Sequence, residues 1–344
     1  MNKETFPLTP LSKFGKIELT NHLMKKYAGK QSEKNNEQEI ATIALEHKEI
    51  ATNSSLLIEN IHFDLSYFPL KHLGFKAVVG CVSKFYGHNL QAKAITVSVG
   101  VSNRFSLEAL EDLFEGIQTS CEAYNIDLTA IEVTSSNKGL IVCINAFSDV
   151  DQSALVSKNT SSEGDLVVVT GDLGGAYLGL QVLKREKAVF EVNPTSQPDL
   201  NTYKYIVQRQ LKPSARKDMI ELLASLEVKP TAMSAMSDGL ASELAQISKK
   251  SKLGFAIYED KMPIAPETLT VCEEFQLNPM TVVLNGGEDY ELLFTISQND
   301  YAKIKGNPHL TVIGHMTKEA EGTFLISKAN QKIDLANNSF HEGA

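Results

Sequence analysis

This sequence predicts a two-domain α/β protein on three observations: a length beyond one typical domain, a globular balance of apolar and charged residues, and strand-like and helix-like segments alternating on either side of one polar, aperiodic stretch. The 344 residues exceed the roughly 100–200 of a single domain, so two cores are expected. Hydrophobic residues make up 42% and charged residues 22%, a balance that excludes disordered and fibrous classes. The net charge is −9 with both signs interspersed, so there is no basic stripe, and neither nucleic acid nor a membrane is an expected partner. Cys81, Cys121, Cys143 and Cys272 form no C-x-x-C pair and read as reduced core thiols rather than a zinc site or disulfide framework. The opening "MNKETFPLTPLSKFG" lacks the apolar core of a signal peptide, and no run of about 20 residues is apolar enough to span a bilayer. The expected location is cytoplasmic.

The polar run "AGKQSEKNNEQE" (28–39) reads as a loop. In "AITVSVGV", Ile95, Val97, Val99 and Val101 share one strand face while Thr96, Ser98 and Gly100 take the other, the pattern of a sheet with one wetter side. The next segment, 106–126, repeats apolar residues every three or four positions (Leu107, Leu110, Phe114, Ile117, Cys121, Tyr124), which predicts an amphipathic helix packed on that sheet. "GLIVCINAF" reads as a buried strand. Residues 149–165 are Ser-rich and aperiodic and mark the expected division into a 1–150 N-terminal domain and a 151–344 C-terminal domain. A second αβ unit follows at once in "DLVVVTGDLGGAYLGLQVLKRE". Further strands are expected in "FAIYEDKMPI", "YELLFTI" and "LTVIGHM", with helix-like segments at 217–227 and 266–275.

Several short stretches carry candidate chemistry. "TGDLGG" is a strand-to-helix turn whose glycines let backbone N–H groups approach an anion, although it matches neither phosphate-loop signature and serves equally well as plain punctuation. "NGGEDYELLF" sets Glu288 and Asp289 at a strand entrance, where paired acids are costly unless solvated or bound to a cation or ligand; a hairpin turn is the competing reading. His62 is flanked by apolar residues, a setting that by itself fits a core histidine. In "MSDGLASEL", Ser237 or Asp238 precedes the helical spacing of Leu240, Leu244 and Ile247 and is placed to cap that helix.

Taken in order, "LIENIHFDLSYFPLKHLGFKAV", "TGDLGGAYLGLQVL", "RQLKPSARKD", "MSDGLASEL" and "LNGGEDYELLFT" resemble the thiamine-monophosphate kinase family, within the superfamily of aminoimidazole ribonucleotide synthetase. The resemblance runs from about residue 8 to the C-terminus. It implies an aminoimidazole ribonucleotide synthetase-like fold whose N-terminal domain carries the ATP and metal side and forms a barrel-like dimer interface, a homodimer, and a cleft for ATP and thiamine phosphates between the domains. The implied reaction passes the ATP γ-phosphoryl group to thiamine monophosphate, with Mg²⁺ ions held by aspartates. By matching positions, the resemblance gives His62, Glu288, Asp289 and Phe340 to substrate, Ile131, Glu132, Lys158 and Ser237 to ATP, and Asp238 to metal.

The other metal positions of the resemblance are altered. The family's G-D-D segment is "EQE" here, aligning its aspartates with Gln38 and Glu39. Ser55, Lys84 and Ala235 stand where three further aspartates are implied, and the phosphate-closing G-G-D-T-T is "AIEVT", which leaves Glu132 in place of the acid. Mg²⁺ demands octahedral oxygen coordination, and a serine, a lysine and an alanine supply one neutral oxygen, a positive charge and nothing. Loss of two or more metal sites predicts slowing of roughly 10³-fold or greater. The expectation is a catalytically impaired or inactive family member that still binds thiamine phosphates or nucleotide. Beside it stand an active kinase with a reduced Mg²⁺ set on Glu39, Glu132 and Asp238, and a non-catalytic partner that dimerises with an intact kinase.

Overall fold

The computed structural model describes residues 41–45, 48–195, 198 and 200–336. Its N-terminal part orders as β1 (Ala41–Leu45), β2 (Lys48–Ile58), α1 (Leu70–Tyr86), β3 (Ala94–Val101), α2 (Leu107–Tyr124), β4 (Asp127–Ser135) and β5 (Ile141–Asp149). The strands form one sheet in the order β1-β2-β5-β3-β4, with β3 and β4 parallel and α2 as the crossover between them. Ile95, Val97 and Val99 of β3 and Val142, Ile144 and Ala146 of β5 are buried on the helix-covered face, as the alternation of β3 predicts. The stripe of α2 is partly covered at Leu110 and buried at Leu113, Ile117, Cys121 and Tyr124, whereas Leu107, counted in the predicted stripe, is exposed. The two helices approach backbone to backbone: a Cβ on Gly116 would lie 1.9 Å from the Lys71 carbonyl oxygen, and one on Gly74 would lie 2.0 Å from that of Leu113. Only glycine permits so close a crossing.

The opposite face of this sheet is uncovered. Leu56 on β2 is 52% exposed, and Cys143 and Asn145 on β5 are partly exposed, so "GLIVCINAF", expected to be buried, is covered on one side only. Strands β1 and β4 are not bonded to each other, and among the described residues the barrel implied by the resemblance does not close.

The C-terminal part contains β6 (Leu166–Thr170), α3 (Gly175–Val192), α4 (Lys204–Leu211), α5 (Lys217–Ser225), β7 (Ala232–Ala235), α6 (Leu240–Ser251), β8 (Leu253–Tyr258), α7 (Pro266–Glu274), α8 (Pro279–Asn285), β9 (Leu292–Ile296), α9 (Tyr301–Ile304), β10 (Leu310–Lys318), β11 (Thr323–Ile326) and β12 (Lys332–Asp334). Its seven-stranded sheet runs β12-β11-β8-β10-β6-β9-β7. Leu240, Leu244 and Ile247 of α6 pack with Val167, Val169 and Ile257 of the sheet in one apolar cluster. A second cluster is continuous across both sheets, from Val97 and Ile144 to Val168 and Phe294. Burying such side chains contributes about 1.5–3 kcal/mol each, so the two halves share part of their stabilisation. Polar contacts join them as well: the Ala215 N–H donates to the Tyr124 hydroxyl at 2.8 Å, and the Val156 N–H to the His88 carbonyl at 3.0 Å. No helix among the described residues is long and apolar enough to cross a membrane.

Candidate active site

Three segments meet where the halves join: the loop after β2 with His62, the middle of α1, and the loop between α8 and β9 with Glu288 and Asp289. A small pocket there is lined by Ser55, His62, Lys76, Gly80, Glu288 and Tyr290, among others. His62 is exposed, and its Nδ1 accepts the Ile58 N–H at 3.0 Å; in the neutral ring the proton therefore sits on Nε2, which is left to donate. Lys76 is buried on α1 and donates to Glu288 Oε2 at 2.9 Å and to the Gln210 carbonyl at 3.0 Å, and it lies 5.4 Å from the Phe68 ring centroid. Gln210 Nε2 adds a bond to Glu288 Oε2 at 3.2 Å. Burial raises the Glu288 carboxyl, but the charge and hydrogen bond of Lys76, with the Gln210 bond, outweigh it and hold the group below its ordinary value.

The loop carrying Glu288 is strained and braced. Glu288 and Tyr290 both adopt left-handed backbone, φ 65° and 53°, each at a cost on the order of 1–3 kcal/mol. The brace is the Ser237 segment: Glu288 N–H donates to the Ser237 carbonyl at 2.9 Å, and Tyr290 N–H to that of Met236 at 3.1 Å. A Cβ on Gly287 would lie 2.3 Å from the Ser237 carbonyl oxygen, so the two motifs fit only with glycine there. Burial raises the Tyr290 hydroxyl well above its ordinary value, reinforced by the negative charges of Glu288 and Asp238.

The predicted pair of acids splits. Asp289 turns away from the pocket and accepts the Gly174 N–H at 2.7 Å and the Ala176 N–H at 3.0 Å, at the start of α3. The anion seat offered by "TGDLGG" is therefore filled by the chain's own carboxylate, which is also paired with Arg209 at 3.3 Å. This corrects both the phosphate-cradle reading and the hairpin alternative, because the segment connects α8 to β9.

Other expected residues scatter. Asp238 is exposed, with the Ser237 hydroxyl donating to its Oδ2 at 3.3 Å; it does not cap α6, which begins after Gly239 with no side-chain cap bond. Lys158, matched to an ATP contact, is fully buried and donates to Glu243 Oε2 at 2.9 Å, which removes it from any ligand. "AIEVT", read as a loop, lies in β4. Ile131 is in register with Val97, which pairs with Ile144, which pairs with Ser55. Three strand spacings place Ile131 about 14 Å from Ser55. Glu132 is on the opposite face of that sheet, in the row of Ser98, Cys143 and Leu56, so one chain does not bring it to the pocket. Lys84 is half-buried in the last turn of α1, and Ala235 is buried in β7, where Gly87, just past α1, abuts it. Glu39 and Phe340 lie outside the described residues.

Among the described residues no three His, Cys, Asp or Glu side chains converge as a metal ion requires. The described residues, with Ser55 lining the pocket and Lys84 one turn beyond Gly80 on α1, do not fit a cluster of Mg²⁺ ions. Lys76 was missed by sequence reasoning, though a lysine within the apolar run "GFKAVV" was the signal for it.

The AIR synthase related protein N-terminal domain profile matches residues 38–148, and the C-terminal domain profile of the same family matches residues 162–327. The chain is 30% identical over 292 residues to a thiamine-monophosphate kinase of Buchnera aphidicola subsp. Acyrthosiphon pisum, covering 82% of this chain and 83% of that one. The chain belongs to the thiamine-monophosphate kinase family. Its relative from Aquifex aeolicus is 29% identical over 283 residues, covering 82% of this chain and 85% of that one. In fold it is similar to the structure described as "AaThiL complexed with AMPPCP and TMP", with a TM-score of 0.80 at 24% identity over 95% of this chain and 97% of that one. The two-domain AIR synthase-like architecture is thus the family's.

Proposed function

We propose that this protein is a thiamine-monophosphate kinase family member that binds thiamine phosphate, and nucleotide, in the cleft between its halves but transfers the phosphoryl group slowly or not at all. One observation carries the reading. Ser55, in the pocket lining, and Lys84, one helical turn beyond the lining residue Gly80 on α1, stand where the family resemblance calls for aspartates, whereas His62 and Glu288 both line the pocket. Phosphoryl transfer draws most of its catalysis from positioning and from neutralising phosphate charge, and the family does the latter with Mg²⁺. A lysine supplies a point charge to a phosphate but cannot bridge two phosphates and align an in-line attack. Ligand capture therefore outlives turnover in this reading. An assay of thiamine diphosphate formation from ATP and thiamine monophosphate with Mg²⁺ tests it. The native chain is expected to give no product above background, and the double substitution Ser55→Asp with Lys84→Asp is expected to raise the rate.

A second reading, an active kinase with a reduced Mg²⁺ set, is favoured by Asp238, which is exposed and forms no ion pair among the described residues. Mg²⁺-dependent product from the native chain, abolished by Asp238→Asn, would establish it over the first. In either reading the proposal includes a dimer, with a second copy or with an intact relative as partner, and the open face and edge of the N-terminal sheet support it; co-purification from cells distinguishes the two partners.

A further inference from the structure

We propose that Lys76 is a positioning residue which, by holding one oxygen of Glu288 across the domain boundary, fixes the other to accept a hydrogen bond or a positive charge from a nitrogen heterocycle entering the pocket. The inference rests on the cleft being the thiamine-phosphate site and adds a residue to it. Lys76 belongs to α1 of the N-terminal half, and Glu288 to the loop before β9 in the C-terminal half. The lysine side chain is only 6% exposed, so its charge is desolvated and needs a counter-charge; Glu288 at 2.9 Å provides it. Lys76 and Gln210 both bond Oε2. Oε1 has no hydrogen-bond partner among the described residues and belongs to a side chain lining the pocket with His62. A carboxylate tied through one oxygen, on a backbone held left-handed at φ 65°, has little rotational freedom left. Its second oxygen is a fixed acceptor, suited to an exocyclic amine or a ring cation rather than to phosphate. The Gln210 carbonyl takes another lysine proton at 3.0 Å, so Lys76 itself is largely saturated and poorly placed to bind the ligand directly.

The test uses the full chain and calorimetry with two probes, thiamine and thiamine monophosphate. Lys76→Met is expected to weaken both by a similar factor of about tenfold or more, and Lys76→Arg to restore most of it. In a Glu288→Gln background, Lys76→Met is expected to add nothing, which a merely structural lysine would not show. Equal affinity of native and Lys76→Met chains overturns the proposal. So does a loss confined to thiamine monophosphate, which would make the lysine a phosphate contact. Should the native chain bind neither probe, the functional reading fails. Amide hydrogen exchange of residues 286–291 then judges the lysine alone: faster exchange in Lys76→Met keeps its positioning role, and unchanged exchange removes it. If Lys76→Met fails to fold, Gln210→Ala, which removes only the neutral bond to Oε2, is expected to weaken both probes in the same proportion, and no effect on either counts against the proposal.

Discussion

At the scale of single residues, burial decides what a charged side chain is able to do. Lys158 and Glu243 are both fully buried and 2.9 Å apart, and the Ser234 hydroxyl donates to the same Glu243 oxygen at 2.5 Å. Removing one member of such a pair leaves an uncompensated charge in a poorly polarisable interior. Lys158→Met should therefore lower the unfolding free energy by about 3–5 kcal/mol in urea titration, and Glu243→Gln in the same chain should recover part of that loss. Near-native stability together with weaker ATP binding would return Lys158 to the nucleotide site. Glu288 differs because its side chain is 36% exposed. Its carboxyl is held below the ordinary value, so its contribution to stability is present above the unfolded value and is lost as pH falls through the folded one. Acid unfolding followed at several pH values should show this loss in the native chain and a smaller one in Lys76→Met. Gly-Gly before two acids made Glu288 legible as a local signal, whereas His62 reached the site only through the family resemblance: its apolar flanks alone fitted a core histidine, and it is exposed. The destination of Asp289 was not legible, because its partners Gly174 and Ala176 are more than a hundred positions away in the chain and nothing local marks them.

Elements were legible where one face is covered and the other is not. Strand β3 and helices α2 and α6 show a clear periodicity, and they form where that periodicity places them. β7 has four residues, all buried, and so shows no alternation to read. "AIEVT" resisted for the opposite reason: read through the resemblance, it was a loop, yet Ile131, Val133 and Thr134 are β-branched and lack the glycines that a phosphate loop would use. Crossings of helices are likewise silent in sequence, although their cost is large. Gly116→Ala would drive a methyl group into the Lys71 carbonyl, 1.9 Å from its ideal position, and the helices must part to admit it. A destabilisation of about 1–3 kcal/mol or more is expected, read as a lower thermal midpoint by circular dichroism. Because α1 carries Lys76 and Lys84, this substitution should also weaken ligand binding, linking the packing of one element to the site it holds.

Over the whole molecule, the unfinished surface is the N-terminal sheet. Its last strand, β4, exposes Ile131 at 52% and Val133 at 48%, and Leu56 at 52% stands on the uncovered face. An edge of unpaired backbone groups beside apolar side chains invites pairing with another strand, and among the described residues no proline or inward charge blocks it. A closed barrel removes edges altogether, and strands from a second chain are one way for an open sheet to reach closure. The family resemblance implied that barrel, and the described residues leave it open. Sedimentation at micromolar concentration should find a dimer. Leu56→Asp combined with Ile131→Lys should shift it to monomer with an unchanged far-UV spectrum, because neither residue packs in the core. If the native chain sediments as a monomer, the edge must be protected some other way and Glu132, on the same open face as Leu56, loses its route to a shared site. If it dimerises, Glu132 stands at the interface, and Glu132→Gln then asks whether any ligand affinity depends on it.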